Sequence, residues 1–407
     1  MMHTPRELYQ IEQILTQRFA CLRPAHVFVL ALWVYGTILA KSACQSAVLD
    51  ELEVHAPRSN LRQRVREWLK PGRAKARPCD AAVNVSACFP ALFCWVIAWW
   101  QDSTTLPIAI DAVAHKDRVV ALVISVLYRG CAIPIAWHIV PTHQAGAWMP
   151  HILTLVDQLA PAIPTQWHVI VLVDRGLWSP RLWRKLQQRN LHSLVRIADG
   201  VAIRRAGRKH PVTPARLVPA PGRGWVGRAA VFGPDAQQTG TVVIVWGPGH
   251  KERWVLLTTL APRQVQHRWY GLRMWIELGF RALKSMGWQW QRTRRTDPER
   301  VARHWLVLAV ATLWVLGCGT RVDDANRLHT SPDRIRVPPQ LPPPTGTNVV
   351  SLFRRGMRAA RRQLGNGRIW QQLWLRPSVL PGPYPGITIV FHRDPHPDIA
   401  HDRYIPL

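Results

Sequence analysis

The run His168-Val169-Ile170-Val171-Leu172-Val173-Asp174 is an unbroken aliphatic stretch closed by an acid and followed by Arg175-Gly176. A strand covered on both faces reads this way, without the alternation of a half-exposed one. Working outward, Trp148 to Leu159 and Pro180 to Asn190 have helical apolar spacing, and Ser193 to Ile197 reads as a further strand. Upstream, Arg118 to Leu127 and Ala132 to Ile139 are β-rich runs joined by Tyr128-Arg129-Gly130, a hairpin signal. Before them, Pro107-Ile108-Ala109-Ile110-Asp111 is another short apolar run that ends in an acid.

The resulting order, β-β-β-α-β-α-β, is the layout of an RNase H-like α/β core. Asp111 and Asp174 fall at the ends of strands that such a fold sets side by side. Carboxylates at strand C-termini above an α/β sheet occupy the usual ligand crevice.

The flanks divide by composition. Residues 1–100 read as a helical domain, with apolar spacing over Leu8 to Phe19 and Ala25 to Ala40. Within it, Ser59 to Leu69 opens with cap residues and carries Arg62, Arg64 and Arg66, a candidate DNA-contacting helix or a solvated basic face. Residues 101–200 hold the first part of the core. Residues 201–258, rich in Gly, Pro and Arg, read as a β-rich insertion, and 259–330 as the second part of the core. There, Thr296-Asp297-Pro298-Glu299 opens a helix reaching Gly317 with a cap, a first-turn proline and acids. Residues 331–407 read as a proline-rich linker and basic tail, expected to be disordered apart from a basic amphipathic helix over Phe353 to Leu364. His392, His396 and His401 lie in that tail at loosely metal-like spacing.

The chain has 407 residues, 53 Lys and Arg against 24 acids, and a formal net charge of +29. Basic clusters recur at Arg58 to Arg77, Arg204 to Lys209, Arg292 to Arg295 and Arg354 to Arg362. Such a balance points to a polyanionic partner, a nucleic acid or a membrane surface. Among the 21 Trp, many must be core and some could be stacking platforms for bases. Seven Cys without a Cys-x-x-Cys pair argue against a disulfide framework or zinc finger and for a reducing compartment. The charged opening Thr4-Pro5-Arg6-Glu7 predicts no signal peptide. The apolar runs Val27 to Ala40 and Leu306 to Cys318 are too short or interrupted to span a bilayer comfortably, so they are expected to be buried helices.

The stretch from Trp269 to Lys284 reads as one helix. At about 100° per residue, Tyr270, Arg273, Glu277 and Lys284 fall within a sector of about 60°. One acid beside an aromatic and two cations suits a carboxylate that holds a metal while its neighbours hold phosphates. An amphipathic surface helix with an ion-pair stripe is the plainer reading.

Tyr270-x2-Arg273-x3-Glu277-x6-Lys284 resembles the signature of insertion-sequence transposases of the "IS four" type, which are DDE transposases with an RNase H-like core. Asp111 in Ala109-Ile110-Asp111-Ala112, and Asp174 in Leu172-Val173-Asp174-Arg175-Gly176, are similar to the first two acids of that triad. The stretches Val126 to Pro134 and Gly287 to Thr293 also look like members of this group. The resemblance covers roughly residues 25–320, and a β-rich insertion before the Glu belongs to it.

The resemblance implies that Asp111, Asp174 and Glu277 bind two Mg²⁺ ions, with Mn²⁺ as a substitute. Two such ions about 4 Å apart activate the incoming oxygen and stabilise the leaving one. Arg273 and Lys284 would grip phosphates beside the cleavage point, and Tyr270 would pack on the backbone there. The partners implied are terminal inverted repeats and target DNA, bound by a homodimer in the cytoplasm at the nucleoid, with no membrane involved. Arg62, Arg64 and Arg66 would help the N-terminal region recognise the terminal repeats. The family usually has a Thr close behind the first Asp, whereas Asp111-Ala112-Val113-Ala114-His115 has none. That departure favours an alternative: an inactive or domesticated copy that binds DNA without cutting it.

Overall fold

The computed structural model describes residues 5–57, 59–72, 82–142, 148–233, 237–330, 350–382 and 387–392. The N-terminal elements are α1 (Arg6–Arg18), α2 (Pro24–Ala40), α3 (Gln45–His55), α4 (Leu61–Leu69) and α5 (Phe89–Trp99). Next come β1 (Thr105–His115), β2 (Val119–Tyr128), β3 (Cys131–Pro141), α6 (Trp148–Leu159), β4 (His168–Val173), α7 (Pro180–Gln188) and β5 (His192–Ile197). The insertion holds β6 (Ile203–Arg205), α8 (Pro214–Leu217), β7 (Arg223–Val231), β8 (Gln238–Trp246) and β9 (Trp254–Thr258). The chain then continues with α9 (Met274–Leu283), α10 (Pro298–Thr330), α11 (Leu352–Gly365) and β10 (Thr388–Phe391). From β1 to β5 the element order is the expected one, and the fold is mixed α/β of the RNase H-like kind.

The chain forms two compact units. One comprises Met1–Val169 with Leu272–Val379, the other Ile170–Gly271 with Leu380–Leu407. In the first, β1, β2 and β3 form an antiparallel meander. Arg129 (φ 44°) and Gly130 (φ 78°) turn the β2–β3 hairpin, both in the left-handed region that a two-residue turn of matching twist requires. The register slips once: Ile124 opposes Ala136 but Ser125 opposes Pro134, so Ile135 is the extra residue of a bulge. Pro134 has no N–H to give to the ladder, and a bulge accommodates it.

That bulge puts Ala132 and Trp137 on one face, where strict alternation would separate them. Trp137 donates its indole N–H to the Ala302 carbonyl of α10 at 3.0 Å, and its ring meets Phe89 of α5. Ala132 packs under Gly279 of α9. His138, next to Trp137 and on the other face, stacks on His151 of α6 at 3.8 Å. Helices α5, α9 and α10 thus cover one side of the meander and α6 the other. Every residue of β2 is buried, as a strand covered on both faces demands.

Two apolar helices fill the interior of this unit. From Leu30 to Leu39, α2 is buried throughout, and α10 is buried from His304 to Thr320. By length and composition α10 could cross a membrane, but 89% of its most apolar window is buried within the protein. Asp297 caps it, accepting from the Arg300 backbone N–H at 2.9 Å. The basic helix α4 begins at Leu61. Asn60 (φ 63°) makes no side-chain cap bond there, which corrects the cap expected from Ser59-Asn60.

One further sequence expectation changes in this unit. Asp111 does not end its strand: β1 runs on to His115, because Ala112, Val113 and Ala114 find partners in Leu122, Ala121 and Val120 of β2. The basic amphipathic helix expected over Phe353 to Leu364 forms as α11 and packs on α10. Gly356 lets it approach so closely that an added Cβ would lie 1.9 Å from the Val315 carbonyl oxygen. The Pro338–Pro344 linker, Arg58, Arg77, His396 and His401 lie outside the described residues.

In the second unit, the end of β4 pairs in parallel with β5, and β5 pairs antiparallel with β9. The ladder continues through β8 to β7, with β10 parallel and β6 antiparallel to β7. The insertion is therefore β-rich, as expected, and it extends the sheet that β4 and β5 begin. Trp183 and Leu186 of α7 are buried in this unit, and Gly240 of β8 leaves room for the Trp183 ring.

Candidate active site

The register of β1 decides where Asp111 points. Asp111 opposes Val123, and Val123 opposes Trp137. Directly opposed residues share a face, so Asp111 lies on the side covered by α9 and α10. Its Oδ1 accepts from the Ala112 backbone N–H at 2.8 Å. Its Oδ2 lies 3.6 Å from Nη1 of Arg273. The same Nη1 donates to Oε1 of Glu277 at 3.0 Å. One guanidinium thus links an acid from the middle of a strand to an acid from the first turn of a helix.

The local sequence explains the arrangement. Arg273 ends a 3-10 turn (His267–Arg273), and α9 starts at Met274. Glu277, in the first turn, faces the positive end of the helix dipole. Gly279 lets α9 sit close: a Cβ there would come within 2.6 Å of the Ala132 Cβ and 2.9 Å of its backbone nitrogen. The side chains of Arg273, Asp111 and Glu277 are 15%, 17% and 44% exposed, so the acids are open to solvent at one edge.

The single 16-residue helix expected here is therefore interrupted. Tyr270 and Arg273 lie on the 3-10 turn, Glu277 on α9, and Lys284 beyond its last residue with φ −92° and ψ −126°. The four residues therefore do not lie on one continuous α-helix, as α-helical spacing predicted. Gly271, a poor helix former, sits inside the turn.

Lys284 donates to the Ala114 carbonyl of β1 at 2.9 Å, and burial lowers its pKa. Beside it, His115 is buried against Trp290, with ring centroids 4.5 Å apart. Burial, then the charges of Arg118, Lys284 and Lys116, push the His115 pKa down to about 4, opposed by Asp117. Neither His115 nitrogen has a hydrogen-bond partner among the described residues. Sequence reading missed this residue. The sole signal was its place four residues after Asp111.

In the second unit, Asp174 directly follows β4 and caps a 3-10 turn, its Oδ1 accepting from the Arg175 backbone N–H at 2.8 Å. The Tyr270 hydroxyl donates to the same oxygen at 3.3 Å. Tyr270 is buried and meets the Trp254 ring edge-on at 5.6 Å. Trp225 is buried beside His392, and Trp246 donates to the His250 carbonyl with the Arg253 guanidinium 4.7 Å over its ring.

Arg62, Arg64 and Arg66 are exposed on α4. Arg62 lies 3.5 Å from Glu53, and Arg64 lies over Phe28. The cysteines are free among the described residues, with the Cys21 and Cys88 sulfurs 3.7 Å apart.

Asp111 and Glu277 offer hard oxygen ligands, partly solvated and already compensated by a cation, and such a donor set fits Mg²⁺ or Mn²⁺. Among the described residues, no group of three His, Cys, Asp or Glu side chains is gathered that could hold a metal ion.

Residues 125–314 match the family model of the transposase DDE domain, a range just under half of the chain. The match spans Asp174, Tyr270, Arg273, Glu277 and Lys284 and starts after Asp111. No curated protein matches the chain. The domain match supports a DDE transposase, a class of enzyme that acts on DNA.

Proposed function

We propose that this chain is a DNA transposase of the "IS four" type. In this reading it cuts at the terminal inverted repeats of an insertion sequence and joins the freed ends to target DNA, acting as a homodimer on DNA. The observation that carries the reading is the Arg273 guanidinium shared by Asp111 and Glu277. It supports a site where two acids from distant segments act together, and the domain match supports the class of chemistry. The net charge of +29 supports a polyanionic substrate.

Asp111, Asp174 and Glu277 are the proposed metal ligands, Asp174 by its resemblance to the second acid of the triad. Two bound divalent cations would supply activation of the attacking oxygen and stabilisation of the leaving one. Arg273 holds Asp111 and Glu277 in place and adds positive charge where a phosphate would lie. Lys284, tied to the Ala114 carbonyl, adds positive charge beside β1. Tyr270 orients Asp174 through its hydroxyl. Arg62, Arg64 and Arg66, exposed on α4, are the proposed phosphate contacts of repeat recognition.

The absence of Thr behind Asp111 favours a second reading, a transposase-derived protein that binds DNA without cutting it. One assay separates the two. Purified chain is given supercoiled DNA bearing the terminal repeats, with Mg²⁺, with Mn²⁺ and with EDTA. Cleavage that needs the metal and is lost by at least a hundredfold in Asp111→Asn, Asp174→Asn and Glu277→Gln, with DNA affinity retained, is the expected outcome. DNA binding with no cleavage under either metal favours the second reading.

A further inference from the structure

The basic helix α11 lies outside the family match and outside the residues assigned above. It holds five Arg and no acid. Its apolar side is fully used: Leu352, Phe353, Met357, Ala360 and Leu364 are buried, and Gly356 closes on α10. The Ser351 hydroxyl caps it, accepting from the Arg354 backbone N–H. Two of the five arginines are anchored. Arg355 pairs with Asp323 at 2.8 Å, and Arg361 donates to the Leu39 carbonyl at 2.8 Å.

The other three, Arg354, Arg358 and Arg362, are exposed at four-residue intervals. They form one stripe with a step of about 6 Å along the helix. Across from them stands Lys41, exposed at the C-cap of α2 with φ 50°. Two adjoining hollows of about 420 and 220 Å³ lie between, both lined by Lys41, Met357 and Arg358. Arg362 lines the larger and Arg354 the smaller, which also reaches the exposed Met286. The acid in the groove, Glu51, pairs with His55 at 3.5 Å.

We propose that this groove is a second DNA contact, in which Arg354, Arg358, Arg362 and Lys41 grip the phosphate backbone of one strand apart from the acids that cut. The inference rests on the DNA-processing reading above. Guanidinium forks match phosphate geometry, and the spacing along the stripe is comparable to that of successive phosphates. A lipid surface fits less well, because an interfacial helix needs an apolar face to insert and that of α11 is buried against its own protein.

The test uses the full chain with Arg354, Arg358 and Arg362 all changed to Gln, which keeps helix propensity. Binding to a fluorescent duplex is titrated across salt concentrations. The wild type should bind with a steep salt dependence, and the triple variant should show a log–log slope shallower by about two to three units, one for each phosphate lost. An unchanged slope and affinity overturn the proposal. A wild type that binds no duplex at any salt overturns the DNA reading itself, so the two failures are distinct.

Arginine modification of the wild type by phenylglyoxal, with and without duplex, gives a second readout that needs no variant. Protection of the three arginines supports the groove, and equal modification overturns it. Anionic vesicles provide the opposing arm: vesicle binding lost in the triple variant while duplex binding stays intact would assign the stripe to lipid and overturn the proposal.

Discussion

Arg273 stands between two carboxylates that the chain supplies from positions 111 and 277, and its guanidinium compensates both before any ligand arrives. The charged residues of this cluster were legible in the sequence, because an acid inside an apolar run has few structural reasons to be there. The place of Asp111 within its strand was not legible: Ala112-Val113-Ala114 gives no polar break, and pairing with β2 carries the strand past the acid. His115 was equally hidden, since its burial depends on Trp290 from a distant segment. This histidine makes a sharp prediction. Its pKa is lowered to about 4 from 6.5, so the folded protein keeps it neutral while the unfolded chain takes up a proton. Its contribution to stability is therefore full above about pH 6.5, lost progressively as pH falls to about 4, and constant below that. Replacing it in His115→Leu should reduce the slope of unfolding free energy against pH in that window by up to ~1.4 kcal/mol per unit. His267, at about 4, and His304 would maintain the remaining dependence. Denaturant unfolding at a series of pH values measures the slope, and an identical slope in the variant contradicts this account of His115.

Among the elements, α9 carries the greatest functional demand, and its seat depends on Gly279 against Ala132 of β3. Gly279→Ala adds a methyl where neighbouring backbone leaves no room, at a cost of about 1–3 kcal/mol in overpacking. The expected result is a lower melting temperature together with reduced cleavage, because Glu277 moves with the helix, while duplex affinity is unchanged. A variant that melts lower but cuts as fast would show that the position of α9 is not what limits the site. Most strands and helices from β1 to β5 could be read in advance, since long apolar runs broken by turn residues announce themselves. Arg129-Gly130 is the clearest case, two left-handed residues in a hairpin turn. The interruption of the Glu-bearing helix escaped the reading because α-helical spacing was projected through Gly271 into what is a 3-10 turn. The bulge at Ile135 escaped too, although it decides which side chains of β3 share a face with Asp111. In α11, the amphipathic pattern was visible, but its partner, the surface of α10 around Val315, could not be named from spacing alone.

For the whole molecule, a net charge of +29 on a folded chain with buried α2 and α10 indicates a basic surface built to meet a polyanion. The match to a transposase DDE domain supports DNA as that polyanion. In the proposed function, Asp111, Asp174 and Glu277 jointly hold the catalytic metal. This is tested most directly by a crystal structure of the full chain with terminal-repeat DNA and Mn²⁺, with the metal located by its anomalous scattering. The expected result is manganese bound by carboxylate oxygens of all three residues, and loss of that signal in Asp111→Asn. Manganese bound elsewhere, or an Asp174 carboxylate turned away from a metal held by Asp111 and Glu277, would contradict it.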